Sequence, residues 1–479
     1  MLAIVTKHGE ARILIPAQEI EVDIRGSTIV VTPDLANFYP LFVAGTEDAL
    51  YISTRQIWLK KILGAELDQQ AVATYLQSGG KSFSLFKGIE YIKPAHGVIL
   101  SSDKVKIFPL SISQPYLNLE EGTSLFRQSL LEVIEKLPHQ LSSDCSGGLD
   151  STPLTILATK QKQVTAFTLS YPNETEDVRI ARLICQQKEI PQVIVEDHPL
   201  HYSNVELPLT DEPIDFWFSS AETMHYLSQV SLHHVSGEGG DAVLCSPLSY
   251  LRKAPFFIAW SHFFRWSRNK KRSPLSLFRS IRRPSYFRGD WITEKVPYRV
   301  EQSSWIDLWD TAKTCRLTSQ LAESIGKTIY FPFLDDDVVR VCFSIYEYER
   351  MNPNCLKPLI KQAFPELPTV LLERNTKGNY TTDLYRGYQQ NYQLLREQMD
   401  TMILADMGVI QIQQFHEAME KMNMGLYVPL WEFDFTMAVE MWLRTLRREK
   451  DVPIPCDQES GRGDNHFIRH EVERILCSK

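Results

Sequence analysis

The stretch SSDCSGGLDSTP, Ser142 to Pro153, sets two glycines among hydroxyl and acidic side chains, after an extended run and before an apolar helical one. Gly147 and Gly148 let the backbone close on an anion with no Cβ in the way. A helix starting here offers unpaired N–H groups and the positive end of its dipole, and Ser146 and Ser151 add hydroxyl donors. Asp150 would repel a phosphate unless a cation lay between them, and a Mg²⁺ bridging carboxylate and polyphosphate supplies one. Alone, the stretch fits a capped turn as well as a phosphate cradle.

A second stretch, HHVSGEGGDAVL (His233 to Leu244), repeats the design with Glu238 and Asp241. Two Gly-rich turns that each follow a strand can meet at one sheet edge, where Asp150 and Asp241 would share a Mg²⁺. Gly237, Gly239 and Gly240 suit an ordinary turn equally well. In a third stretch, ERNTKGNYTTDLYRG (Glu373 to Gly387), Arg374 and Lys377 sit in a polar, Gly-containing loop. A lysine there can close over a polyphosphate as a compact point charge, or simply face water.

The elements that must carry these loops follow from periodicity. ARILIPAQEIEVDIRGSTIVVTP alternates apolar and polar residues, broken at Gly26 and Pro33, and ALYISTR and HGVILSSDKVKIFPL repeat the period of two. DQQAVATYLQSGG between them is a helix with a Gly stop. From about Leu119 the texture changes to EEGTSLFRQSLLEVIEKL (helix), HQLSSDC (strand), TPLTILATKQK (helix), QVTAFTLSY (strand), ETEDVRIARLICQQKE (helix) and PQVIVED (strand). This alternation predicts a parallel sheet with helices on both faces, hence an α/β fold in which ligands bind at the carboxyl ends of strands. After about residue 290 the pattern is mostly helical, and PIPCDQESGRGDNHF is polar.

The 479 residues imply two or three domains. A net charge of −8 argues against general affinity for nucleic acid or acidic membranes. Eight scattered cysteines without a C-x-x-C pair suit a reducing cytoplasm and no zinc site. The start, MLAIVTKHGE, does not read as a signal peptide, and no run is long enough to span a bilayer. Arg265 to Arg288 carries nine basic residues and no acid; it reads as a solvated loop or as a docking surface for an acidic partner or leader peptide. His233 and His234 read as packed histidines and the RGD at Arg462 to Asp464 as chance. In DEPIDFWFSS (Asp211 to Ser220) acids and aromatics either line a substrate cavity or belong to the core.

Taken together, the motifs resemble a known family. SGGLDS is the pyrophosphate-loop motif of the N-type ATP pyrophosphatases, while SGEGGD and FPFLDDDVV (Phe331 to Val339) resemble signatures of the asparagine synthetases, and RNTKG matches where that family carries its catalytic lysine. PLFVAGTEDALYISTR, LDQQAVATYL and LFKGIEYIKPAHGVIL are similar to the glutaminase half of these enzymes. The resemblance implies a glutaminase-like (Ntn-type) domain over 1–115, an asparagine-synthetase-like ATP-pyrophosphatase (PP-loop) domain with a helical C-terminal part over 116–455, and a polar tail over 456–479. A working glutaminase of this family has Cys as its second residue; Leu2 stands there instead, so the amine must come from elsewhere, most simply from the substrate itself. That pattern resembles the β-lactam synthetases and, through CSGGLDSTPLTILA, SGEGGDAVLCSPLSYL, LTDEP and RNTKGNYTTDLYRG, more closely the lasso peptide macrolactam synthetases. The resemblance implies ATP with its phosphates on Ser146, Gly147, Gly148, Asp150 and Ser151, its adenosine against Asp144, Leu169, Ser236 and Gly237, and Mg²⁺ on Asp150 and Asp241. Glu238 would orient or deprotonate the attacking amine and Lys377 would stabilise the tetrahedral intermediate and departing pyrophosphate. The implied partners are a peptide precursor and, around it, a leader-binding protein and a leader protease. A β-lactam-type reaction on a small amino-acid derivative, an ammonia-dependent asparagine synthetase and a degenerate peptide-binding scaffold stand as alternatives.

Overall fold

The computed structural model describes residues 1–16, 20–81, 84–111, 116–171, 175–271, 273–276, 278, 289–293, 303–374 and 381–448. Lys377, much of the basic stretch, the RGD tripeptide and the 456–479 tail lie outside them.

The first part is two antiparallel sheets and two helices. One sheet has the order β2 (Ala11–Ile15), β1 (Leu2–Thr6), β6 (Ala49–Ser53), β5 (Phe42–Gly45), β7 (Ile89–Tyr91); the other runs β3 (Glu21–Arg25), β4 (Thr28–Thr32), β8 (His96–Ser101), β9 (Lys104–Pro109). Side chains alternate across a strand, so β1 sends Ala3 and Val5 to one face and Leu2 and Ile4 to the other. Ala3, Val5, Val43 and Ile52 pack against Ile29, Val31, Val98 and Leu100 of the second sheet. Leu2, Ile4, Phe42 and Tyr51 pack on the opposite side against α1 (Gln56–Leu63) and α2 (Gln69–Ser78). Burial on both faces explains why LAIVT lacks the alternation that marks β4.

The second part is a parallel sheet in the order β12 (Gln192–Val195), β11 (Gln163–Leu169), β10 (Gln140–Asp144), β13 (His233–Val235), β14 (Thr328–Tyr330). Leu141, Val164, Ala166 and Val235 bury one face under α3 (Leu119–Lys136), α4 (Ser151–Ala158) and α5 (Glu176–Gln187). A capping box between Asn118 and Glu121 starts α3. On the other face Phe167 and Val195 meet Tyr226 of α6 (Ser220–Gln229). β10 pairs with β11 on one side and β13 on the other, so the chain order reverses at β10; in an open α/β sheet this is where a crevice forms.

Downstream lie α7 (Gly240–Leu244), α8 (Phe256–Asn269) and the long helices Ser304–Ser324, Thr381–Gln398, Ile412–Asn423 and Leu430–Arg448. Phe435 and Trp442 of the last helix pack against Tyr75 and Phe86, so one apolar core joins the N-terminal helices to the C-terminal ones. Ionic groups stitch the same junction. Glu212, fully buried, accepts from Arg316 at 2.8 Å, Asp211 pairs with Arg55, and Gln56 donates to the Asp211 carbonyl at 2.8 Å. Two of the three acids of DEPIDFWFSS, Asp211 and Glu212, are therefore structural. Arg265 and Arg268, expected in a loop, are on α8.

Candidate functional site

β10 ends at Asp144 and β13 at Val235, next to each other in the sheet, and the two Gly-rich loops leave from these ends. The loops touch through glycine. A Cβ on Gly237 would lie 2.4 Å from the Ser151 nitrogen, and one on Gly240 would lie 2.3 Å from the Asp150 carboxylate. Gly147 has a φ of +78°, and a Cβ there would meet the Asp177 carbonyl at 2.2 Å. Within the first loop the Ser146 and Ser151 hydroxyls are 2.9 Å apart, and Gly148 N–H donates to Ser146 Oγ at 3.2 Å. Asp150, just before α4, makes no side-chain capping bond to it. Arg374, expected to be exposed in a loop, is buried and donates to the Gly147 carbonyl and to Asp177, which pins the cradle from behind.

The two carboxylates expected to share a cation do converge, and the cation between them is Lys357. Its ammonium bonds both oxygens of Asp150 and lies 2.6 Å from Asp241 Oδ1. Burial alone would lower the lysine pKa; the charges of Asp150 and Asp241 outweigh it and raise it, so the ammonium stays protonated. Lys357 sits just ahead of the helix Pro358–Ala363 with a φ of +52°, a conformation a non-glycine residue adopts only where its surroundings hold it. Two carboxylates held this close to one positive charge suit Mg²⁺, which takes one or two protein carboxylates and completes its octahedron with phosphate and water oxygens. Among the described residues no group of three or more His, Cys, Asp or Glu is placed to hold a metal.

Beside the loops, Asp144, Leu169, Ser236 and Glu238 line one cavity of about 270 Å³, together with Phe216, Glu222, Tyr226 and His234. Asp144 accepts from Tyr226 Oη, from His234 Nε2 at 2.9 Å and from Ser236 Oγ at 2.8 Å. Ser142 Oγ, 2.9 Å from His234 Nδ1, fixes the imidazole from its other side. Burial would raise the Asp144 pKa, but His234 and the hydrogen bonds from His234, Tyr226 and Ser236 hold it below the usual carboxylate value. Glu238 behaves oppositely. Its side chain meets the water of the cleft, yet protein surrounds it on most sides; that limited hydration, and the charges of Asp144, Asp215, Asp241 and Asp150, push its carboxyl up to about 7. Glu222 forms a third anionic group, accepting from Tyr171 Oη at 2.8 Å with His198 and His201 at 3.3 and 3.4 Å. Burial works against its charge, but these partners lower it to about 2.

All the expected site residues except Lys377, which lies outside the described residues, thus gather at the carboxyl ends of β10, β11 and β13. Sequence reasoning missed Lys357, His234, Tyr226 and Glu222. Lys357 in CLKPLIKQ reads as an ordinary residue before a helix-starting proline, and His234 as strand core.

The family model described as asparagine synthase matches residues 139–444. Among the solved structures 27 chains match, including an allosteric regulatory enzyme of purine biosynthesis (9% identity, TM-score 0.12, 44% of this chain and 38% of that one). Another is the glutamine phosphoribosylpyrophosphate amidotransferase from B. subtilis complexed with ADP and GMP (9% identity, TM-score 0.14, 67% and 59%). The chain spans less than two thirds of either. None of the curated proteins compared matches. The matched span begins one residue before β10, ends in the last described helix and takes in every loop described above. This chain belongs to the asparagine synthase family, whose members use ATP to form amide bonds.

Proposed function

We propose that the chain is an ATP-dependent macrolactam synthetase that closes a ring in a ribosomally made peptide, joining a side-chain carboxylate to the peptide's own N-terminal amine. The observation that carries this reading is the meeting of Asp150 and Asp241 around one positive charge beside a cavity lined by Glu238, whose carboxyl is pushed up to about 7.

In this mechanism the phosphates of ATP lie along Ser146, Gly147, Gly148 and Ser151, and the adenosine lies against Asp144, Leu169, Ser236 and Gly237. Mg²⁺ on Asp150 and Asp241, when bound, supplies Lewis-acid neutralisation of phosphate charge. A substrate carboxylate oxygen attacks the α-phosphorus and the bond to pyrophosphate breaks, leaving an acyl-adenylate. The amine nitrogen then attacks the acyl carbon, Glu238 takes its proton and AMP departs. Glu238, with its pKa near 7, is half ionised near neutrality, as a general base at that pH should be. Lys357 and Lys377 balance the charge of the departing pyrophosphate. Holding amine and acyl group in one cavity makes the second step internal, which lowers its barrier by ~7–11 kcal/mol. Residues 1–115 serve as a retained scaffold: Leu2 is fully buried in an apolar core, where no nucleophile is offered to glutamine. The peptide reading brings with it a leader-binding protein and a leader protease as partners, in the cytoplasm.

The test is to incubate the full chain with ATP, Mg²⁺ and precursor peptides, following pyrophosphate, AMP and the loss of one water from the peptide. Lys377→Ala and Asp150→Ala should each abolish ring closure in a protein that still melts cooperatively; near-normal turnover by either overturns these roles. A cavity of only about 270 Å³ favours, as a second reading, β-lactam closure of a small amino-acid derivative. Pyrophosphate release with such a compound but with no peptide would select it. Release with aspartate and ammonia would select an asparagine synthetase, and no release with any of them a peptide-binding scaffold.

A further inference from the structure

The face of α8 turned away from the body of the protein is aromatic and wet. Phe256, Phe257, Trp260 and Phe264 are 74%, 83%, 61% and 45% exposed, four large apolar side chains within nine residues. At 100° per residue they fall on one arc about 100° wide. Their rings pair, Phe256 with Phe257 at 5.6 Å and Trp260 with Phe264 at 4.8 Å between centroids, so two aromatic pairs lie along one ridge of the helix. The opposite side of the helix is fixed to the protein. His262 Nδ1 and Trp266 Nε1 each lie 2.9 Å from Tyr250 Oη, and Asn269 donates to the Pro353 carbonyl at 2.6 Å. The helix is therefore anchored on that side, with its aromatic side outward.

Along the sequence the charges beside this ridge have one sign, although Lys253 lies 3.5 Å from Glu347 of a neighbouring segment. Between Arg252 and Lys271 there are six basic residues and no acid, in a chain whose net charge is −8. Arg265 and Arg268 are exposed and follow the aromatic arc around the helix, and Lys270 and Lys271 continue the basic cluster beyond its end. The average charge of the chain hides this concentration.

We propose that the helix Phe256–Asn269 seats the protein on an anionic lipid surface, lying in the plane of the headgroups. Phe and Trp enter the boundary between headgroups and acyl chains while Arg265, Arg268, Lys270 and Lys271 meet the lipid phosphates. A convex ridge of aromatics with a basic border matches such a surface, whereas a protein partner would need an acidic groove shaped to fit it. The inference is independent of the reaction catalysed. It concerns binding from one side only: no helix among the described residues is long and apolar enough to cross a membrane.

The test is sedimentation of the full chain with vesicles of phosphatidylcholine alone or with added phosphatidylglycerol. The chain should partition roughly tenfold or more in favour of the anionic vesicles at low salt, and the preference should shrink as salt screens it. Phe257→Ser with Trp260→Ser should lower that partition by about tenfold or more. Arg265→Glu with Arg268→Glu should remove most of the salt-sensitive part. All four positions are exposed, so circular dichroism and melting temperature should stay at wild-type values. Equal binding to both vesicle types at low salt overturns the proposal. So does wild-type binding by the aromatic double variant, or capture of an acidic protein by the ridge with no vesicle binding.

Discussion

Two regions of this molecule make opposite use of their strand ends. At Leu2, β1 begins inside an apolar core: Leu2 is fully buried, and the Met1 amino group donates to Thr54 Oγ1 at 2.8 Å in a buried setting. At Asp144, β10 ends in a crevice where Asp144, Asp150, Asp241 and Glu238 crowd together with Lys357. The first arrangement maximises packing. The second assembles like charges whose repulsion is relieved only by a few cations and hydrogen bonds. A fold keeps such a crowd where bound charge completes it, and removes it where nothing binds.

That contrast can be broken at its charged end first. Gly147→Ala would force a Cβ against the Asp177 carbonyl at a φ of +78°, and should lower ATP-dependent pyrophosphate release by roughly a thousandfold, about 4 kcal/mol. Because the clash is with backbone at a left-handed φ, the melting temperature should fall as well; a variant that folds and keeps near-normal turnover would separate the loop from the chemistry. At the apolar end the expectation reverses. Leu2→Ala should destabilise the protein by about 2–5 kcal/mol in denaturant unfolding while turnover at low temperature persists.

The pH profile sharpens the comparison within the site. Glu238 must be deprotonated to accept a proton, and its carboxyl sits at about 7. Turnover should therefore fall roughly tenfold per pH unit below 7 and level off above it. In Glu238→Gln that inflection should vanish from the residual rate. Asp144, held low by His234, Tyr226 and Ser236 despite its burial, should contribute no inflection in that range. The smallest effect is expected from Leu2→Cys. Its thiol would remain buried in the core, so no glutamine hydrolysis should appear; ammonia release from glutamine would show that the core opens.

How much of this was legible in the sequence varies with the kind of interaction. α3 and α5 were legible because each buries one stripe at helical spacing and stops shortly before a Pro, whereas β10 and α4, buried nearly all round, were read from their place in the alternation of strands and helices. β1 was not read as a strand, since burial on both faces removes alternation, and α1, QIWLKKIL, carries no side-chain cap to announce its start. DEPIDFWFSS divided between both readings: Phe216 and Ser219 line the cavity while Asp211 and Glu212 bind Arg55 and Arg316 across the junction.

The glycines and acids of SGGLDS and SGEGGD are determined locally, because a turn that wraps an anion needs its missing Cβ atoms and hydroxyls within a few residues of one another. Their pairing, the lysine between them and the pKa of Glu238 are long-range matters. Lys357 reaches Asp150 across 207 positions, and His234 reaches Asp144 across 90. Coulomb energy and desolvation depend on distances in space, which only the parallel sheet and its packed helices decide.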